Sequence, residues 1–238
     1  ASAKELLAKR DQPGEEAPKK TISIKAVHDG THLCLLLSWS DGDKNAEHAP
    51  FILTGDAYEA DEEKVEDACS VSLALEGTFD SNMKAGIESK WDVWDWGAQR
   101  TNAGYARDRV FQFTKTKPAE PIKARRLTDK DGGHIFFVRI EDEGTPASKK
   151  VEQPTAKGAA LVPQFEGQKP SGSGADVEAR GEWAGGRWTV EFKRKLNTGH
   201  KDDALLEAGK SLKVSFATFD KSEKGDHDVT GAITLKLQ

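Results

Sequence analysis

"TISIKAVHDGTHLCLLLSWSD", residues 21 to 41, decides the fold. It reads as strand, turn, strand: an Asp-Gly pair inside "HDGTH" sits between two stretches in which apolar residues alternate. Asp-Gly accepts the positive φ that a tight hairpin turn needs, and alternation with period two puts one face of each strand in a core. The same style continues outward. "ACSVSLAL" (68–75), "RVFQFTKT" (109–116), "HIFFVRIE" (134–141) and "DVEARGEW" (176–183) read as strands. So do "RWTVEFKRKL" (187–196), "SLKVSFATFD" (211–220) and "VTGAITLKL" (229–237). Turns such as "DKDGG" and "AGG" punctuate them. No 12-residue window has convincing helical periodicity beyond the first residues, although 55–67 could hold a short helical turn. The expected fold is all-β, an antiparallel β-sandwich with long loops and little helix.

Residues 1–20, containing "DQPGEEAPKK", read as a polar N-terminal arm that could open with a helical turn. Residues 21–238 read as a single domain. The Pro-, Gly-, Ser- and Lys-rich segment 143–174 is an insertion loop within it, because strands of the same style resume afterwards.

Composition excludes several functions. The 238 residues carry 40 acids against 35 bases, a net charge of −5, with no sustained Lys/Arg stripe to neutralise phosphates. Nucleic acid is therefore not an expected partner. No apolar run approaches the ~20 residues of a bilayer-spanning helix. Of the two cysteines, Cys34 and Cys69, each lies in a strand-like run, which suits either one disulfide or two buried thiols. CxxCH is absent, so covalent c-type haem is not expected, and neither a phosphate loop nor a Gly-x-Ser-x-Gly elbow occurs. The chain starts "ASAKELLAKR" without an initiator Met, as it would after removal of a signal peptide on export to the periplasm; tag removal would leave the same start.

One stretch concentrates unusual residues. "SNMKAGIESKWDVWDWGAQRT" (81–101) holds the sole methionine, Met83, and three of six tryptophans, Trp91, Trp94 and Trp96. A lone Met is most often core filler. The surrounding "DSNMKAG", however, is polar and reads as a loop, which places a thioether where a soft metal would find it. The tryptophans fit three roles: core, a sugar-stacking platform, or the wall of a haem pocket. His227 sits in "DKSEKGDHDVTG", between what should be the last two strands.

At these residues the sequence resembles a known family, the haem-b-binding gamma subunits of ethylbenzene dehydrogenase, dimethylsulfide dehydrogenase and their relatives. The anchors occur in the family's order: "HLCLLLSWSD" (32–41), "VEDACSVSLAL" (65–75) and "NMKAG" followed by "WDVWDWGAQRTNAGYARD" (91–108). "ARGEWAGGRWTVEFKRKL" (179–196) and "VSFATFDKSEKGDHDVTGAITLKL" (214–237) complete the series.

The resemblance implies a b-type cytochrome that transfers electrons through one non-covalent, six-coordinate haem b and has no catalytic site of its own. It implies Met83 as one axial ligand. In the family the second ligand is usually a lysine in the loop before the last strand; here that position holds His227. Either His227 replaces it, or Lys224 or Lys221 ligates after a small register shift. Imidazole ligates iron readily at neutral pH, whereas lysine must first lose a proton. Trp91, Trp94, Trp96 and Tyr105, helped by Val93, would wall the pocket. Lys84, Lys90, Arg100 and Arg107 are candidate partners for the propionates. The expected partner is a redox protein, either an iron–sulfur subunit of a molybdenum oxidoreductase or a soluble electron carrier. The competing reading is a carbohydrate-binding β-sandwich that uses the tryptophans as its platform.

Overall fold

The computed structural model describes residues 4–10, 20–221 and 227–238. The hairpin forms as its sequence predicts: β2 (Lys20–His28) and β3 (His32–Ser40) pair antiparallel around Gly30, whose φ is 87°. Preceding them is β1 (Lys4–Arg10), a strand where the sequence suggested an arm. The chain then runs through β4 (Phe51–Thr54), β5 (Ala57–Ala60), β6 (Ala68–Gly77), β7 (Ser89–Gly97) and β8 (Arg107–Thr114). Next come β9 (Ala124–Thr128), β10 (His134–Glu141), β11 (Ser148–Lys150), β12 (Leu161–Val162) and β13 (Phe165–Gly167). The last are β14 (Val177–Trp183), β15 (Arg187–Lys195), β16 (Ser211–Phe219), β17 (His227–Thr230) and β18 (Ile233–Lys236). Among the described residues there is no α-helix; a single 3-10 turn covers Ser173–Ala175. Residues 55–67 hold β5 and turns rather than a helical turn.

Thirteen strands form one antiparallel sheet in the order β14-β15-β3-β2-β1-β17-β16-β6-β7-β8-β10-β9, with β18 also on β16. This sheet folds on itself. β1 and β17, joined through Ala8–Thr230, Lys9–Val229 and Arg10–Asp228, link the halves. The main core draws Ile22, Leu35, Trp39 and Trp188 from the first half and Val71, Leu73, Trp94, Trp96 and Phe216 from the second. Rings cross between them: Trp96 lies 5.1 Å edge-on to Trp188, and Trp94 lies 6.3 Å from Phe192. Gly181 of β14 makes this approach possible, because a Cβ there would meet the Trp96 ring at 2.1 Å. Asn102 fixes the arrangement by accepting from Trp96 Nε1 and Gly181 N and donating to Gly181 O.

The second half also curls, and a smaller cluster fills its other face: Trp91, Val93, Phe113, Leu127, Ile135 and Phe137. Within 143–174, short ladders β11–β13 and β12–β4 tie the excursion down. Cys34 and Cys69 are free thiols.

Candidate functional site

Register decides what faces where. Across the second half, the row Arg139–Phe111–Trp91 and the row Glu141–Arg109–Val93–Ser72 share one face. So do Arg107–Asp95–Ser70 and the end row Gly97–Ala68–Phe219–His227. The intervening rows, such as Asp108–Trp94–Val71–Phe216, point into the sandwich core. "WDVWDW" is thus split by the pleat: Trp91, Val93 and Asp95 face one way, Asp92, Trp94 and Trp96 the other.

On the first of these faces lies a cavity of about 660 Å³. That volume is in the ~300–1,000 Å³ range of small-molecule and cofactor sites. Its lining joins distant parts of the chain: Met83 and Lys84 from the loop before β7, Arg107, Arg109 and Phe111 from β8, Leu127 and Arg139 from β9 and β10, and Phe219 and His227 from β16 and β17.

Met83 is presented by a pinned loop. Asp80 Oδ1 accepts from Asn82 N at 2.9 Å, and Asn82 Oδ1 accepts from Lys84 N at 2.9 Å, two successive side-chain turns. Lys130 N donates to Lys84 O at 2.9 Å, tying the loop to the β9–β10 turn. The Met83 side chain packs against the Trp91 cluster, where Trp91 lies 5.0 Å from Phe79 and 4.4 Å from Phe113. His227 opens β17 and stacks on Phe219, with ring centroids 5.1 Å apart at 22°.

Positive charge dominates the wall. Arg100, Arg107, Arg109, Arg125, Arg139 and Lys84 line it against two carboxylates, Glu66 and Asp95. Burial, and then the neighbouring Arg109, lower the pKa of Arg107; burial and Arg109 lower that of Arg139. Crowded guanidiniums destabilise one another, so the site favours an anion that disperses this charge. Arg109 ion-pairs with Asp95 and Glu141, yet its Nε is buried without a hydrogen-bond partner. Buried Glu66, 1 % exposed, holds Arg100 by an ion pair and accepts from the backbone N of Gln99 and, at 3.0 Å, of Arg100. Gly97 leaves room for it: a Cβ there would meet the Glu66 carboxyl at 2.7 Å.

The structure brings Met83, His227, Lys84, Arg100 and Arg107 to one cavity; Trp96 borders it but packs its ring into the sandwich core against Trp188. Trp91 stands behind Met83. Trp94 lies in the opposite core, under Arg194 at 4.9 Å. Tyr105 is half-buried away from the lining, and Lys90 pairs with Glu76 at 3.0 Å. Lys224 lies outside the described residues. Lys221 is off the lining and bonded to Asp43, which raises its pKa and keeps it protonated. Sequence reasoning missed Arg109, Arg125, Arg139 and Glu66. Alternation in "RDRVFQF" (107–113) was the available signal, because it sets Arg107, Arg109 and Phe111 on one face.

Sugar stacking needs exposed indoles. Trp91, Trp94 and Trp96 are 4 %, 0 % and 0 % exposed, so they offer no platform.

The donor set fits a haem: a thioether and an imidazole on one cavity, apolar rings behind the thioether, and guanidiniums for two carboxylates. Fold and site together define a β-sandwich protein with a cationic cavity of cofactor size on the outer face of its sheet. The chain belongs to the ethylbenzene dehydrogenase family, whose model matches residues 4–230. Membership implies a haem-binding subunit of an ethylbenzene-dehydrogenase-like oxidoreductase. No curated protein matches the chain. Among the described residues, no helix is long and apolar enough to cross a membrane.

Proposed function

We propose that the protein is a b-type cytochrome that carries electrons for a larger oxidoreductase, with Met83 and His227 as axial ligands to one haem b. The observation that carries this reading is that both residues, 144 positions apart, line the same cation-rich cavity. Haem held between a thioether and an imidazole supplies one-electron chemistry at a raised reduction potential. The Asp80–Asn82 turns hold the sulfur of Met83 in place, and Phe219 orients the His227 ring. Lys84, Arg100, Arg107 and Arg109 would hold the propionates, with Glu66 fixing Arg100. Two protein ligands leave no open position for a substrate, so the chain would have no catalytic site of its own. Its partner would be an iron–sulfur subunit or a soluble carrier, met after export to the periplasm. One continuous sheet and a core shared by its two halves support reading residues 21–238 as a single haem-binding domain, with β1 added to its sheet.

Reconstitution with haem tests this. The expected product is red, low-spin and six-coordinate, with a sharp Soret band. Met83→Ala and His227→Ala should each give a five-coordinate or haem-free protein. If His227→Ala leaves the spectrum unchanged while Lys224→Ala alters it, the second ligand is wrong; protein that takes up no haem sinks the cytochrome reading.

A further inference from the structure

Behind the cavity, on the core face of the same strands, lies a second group of functional side chains. Asp92 of β7, Asp108 of β8 and Asp203 each offer a carboxylate oxygen within 4.8 Å of the others, and they are only 1 %, 4 % and 7 % exposed. Arg194 of β15 reaches two of them, bonding Asp92 Oδ2 and, at 3.3 Å, Asp203 Oδ1. Its Nη2 donates to Ala204 O, and its Nε to Lys195 O at 3.3 Å. Ala204 N also donates to Asp92 Oδ2, at 2.9 Å.

These bonds leave much unsatisfied. Both oxygens of Asp108 are buried without any hydrogen-bond partner, as are Asp92 Oδ1 and Asp203 Oδ2. Half-buried Asp142, just after β10, adds two more such oxygens at the rim. Four carboxylates thus face one guanidinium, and the His200 ring, paired with Asp176, stands beside Asp203. An isolated buried carboxylate is among the costliest groups in a fold, and six orphaned oxygens do not arise from packing alone. Burial pushes every one of these acids upward, and repulsion from neighbouring carboxylates adds to it at Asp108, Asp142 and Asp203, taking Asp203 to about 7 and Asp142 to about 8. Without a counter-charge the group must hold protons at neutral pH.

We propose that Asp92, Asp108 and Asp203, with Asp142 at the entrance, form a structural calcium site on the sheet face opposite the cavity. The donors are all carboxylate oxygens, which select hard cations over zinc or copper. Calcium takes 6–8 oxygens at ~2.3–2.6 Å, so donors across the ion stand about 4.6–5.2 Å apart, matching the carboxylate spacing. Magnesium demands near-ideal octahedral geometry and sheds water reluctantly, which suits a pocket built from four separate chain segments less well. Calcium would cross-link β7, β8, the segment after β10 and the loop after β15, holding the two halves of the sandwich together. The site does not depend on the haem reading.

The test uses the full chain, stripped with chelator and titrated separately with CaCl2, MgCl2 and TbCl3. The wild type should bind one calcium, and its Tm should rise by roughly 5–10 °C at a hundredfold excess over Kd, with a smaller rise in magnesium. Bound terbium should luminesce on tryptophan excitation, because the Trp94 ring lies 4.9 Å from the Arg194 guanidinium carbon. Asp108→Asn should abolish the terbium signal and the calcium response, while its metal-free Tm stays at or above that of the metal-free wild type. A wild type that shows neither calcium shift nor terbium emission at ~10 mM, above the weakest calcium class, overturns the proposal, and this arm stands even if the variant fails to fold. A response that survives in both Asp108→Asn and Asp203→Asn overturns it too.

Discussion

The two faces of β7 and β8 carry opposite charge. Toward the cavity the pleat sends Arg107, Arg109 and Phe111; toward the core it sends Asp92 and Asp108. Two adjacent strands therefore separate a pole that favours an anion from a pole that favours a cation, one backbone thickness apart. The difference teaches that alternation does more than divide wet from dry. Both faces are covered here, so the pleat divides one chemistry from another.

The largest effect expected on this contrast comes from Arg194→Met. Removing the cation that answers the buried acids should cost about 3–5 kcal/mol in metal-free protein, as measured by urea denaturation. Calcium should restore part of that loss. Trp94→Ala should cost a comparable ~3–5 kcal/mol and leave the haem spectrum in place, since its ring belongs to the core face. Trp91→Leu should do the reverse, with a modest stability loss but disturbed thioether ligation, visible in the spectrum of the oxidised protein. If both tryptophan variants act alike, the two-face division is wrong.

On the basic face, Arg109→Gln should weaken haem retention roughly tenfold by removing one charge-assisted contact, read by haem transfer to a competing apoprotein. The buried acids also predict a dependence on pH. Asp142 and Asp203 titrate higher folded than unfolded, so the folded chain binds more protons in between. In chelator, stability should be highest near pH 4 and fall as pH rises through about 7 and about 8. The groups facing them are Asp92, Asp108, Asp176, Asp202, Glu141, Arg194 and, beside Asp203, His200. Calcium should flatten the slope.

Much of the fold was legible because most strands alternate. β10 has the span read from "HIFFVRIE", and β6, β8, β14, β15 and β16 lie within two residues of their predicted ends. "VTGAITLKL" read as one strand but splits into β17 and β18 around Gly231 and Ala232. β7 was hidden for a physical reason. Both its faces are buried, so it lacks alternation, and "WDVWDWG" passed for the wall of a pocket. That cost the assignment of Trp94. Met83 and His227 stood out by rarity and setting; the arginines of β8 and β10 did not, because a charged residue on a strand ordinarily points to water.

The pairing of β1 with β17 matters for how the molecule comes into being. Ala8 meets Thr230 across 222 residues of sequence, and His227 begins the strand that makes this contact. Bringing such distant segments together is entropically slow, and it cannot happen on a ribosome until residue 230 has emerged. Met83 can be displayed by a partly made chain, but the imidazole arrives only with the final strands. On the proposed ligation, cofactor loading would thereby be coupled to completion, and a prematurely terminated product would lack His227.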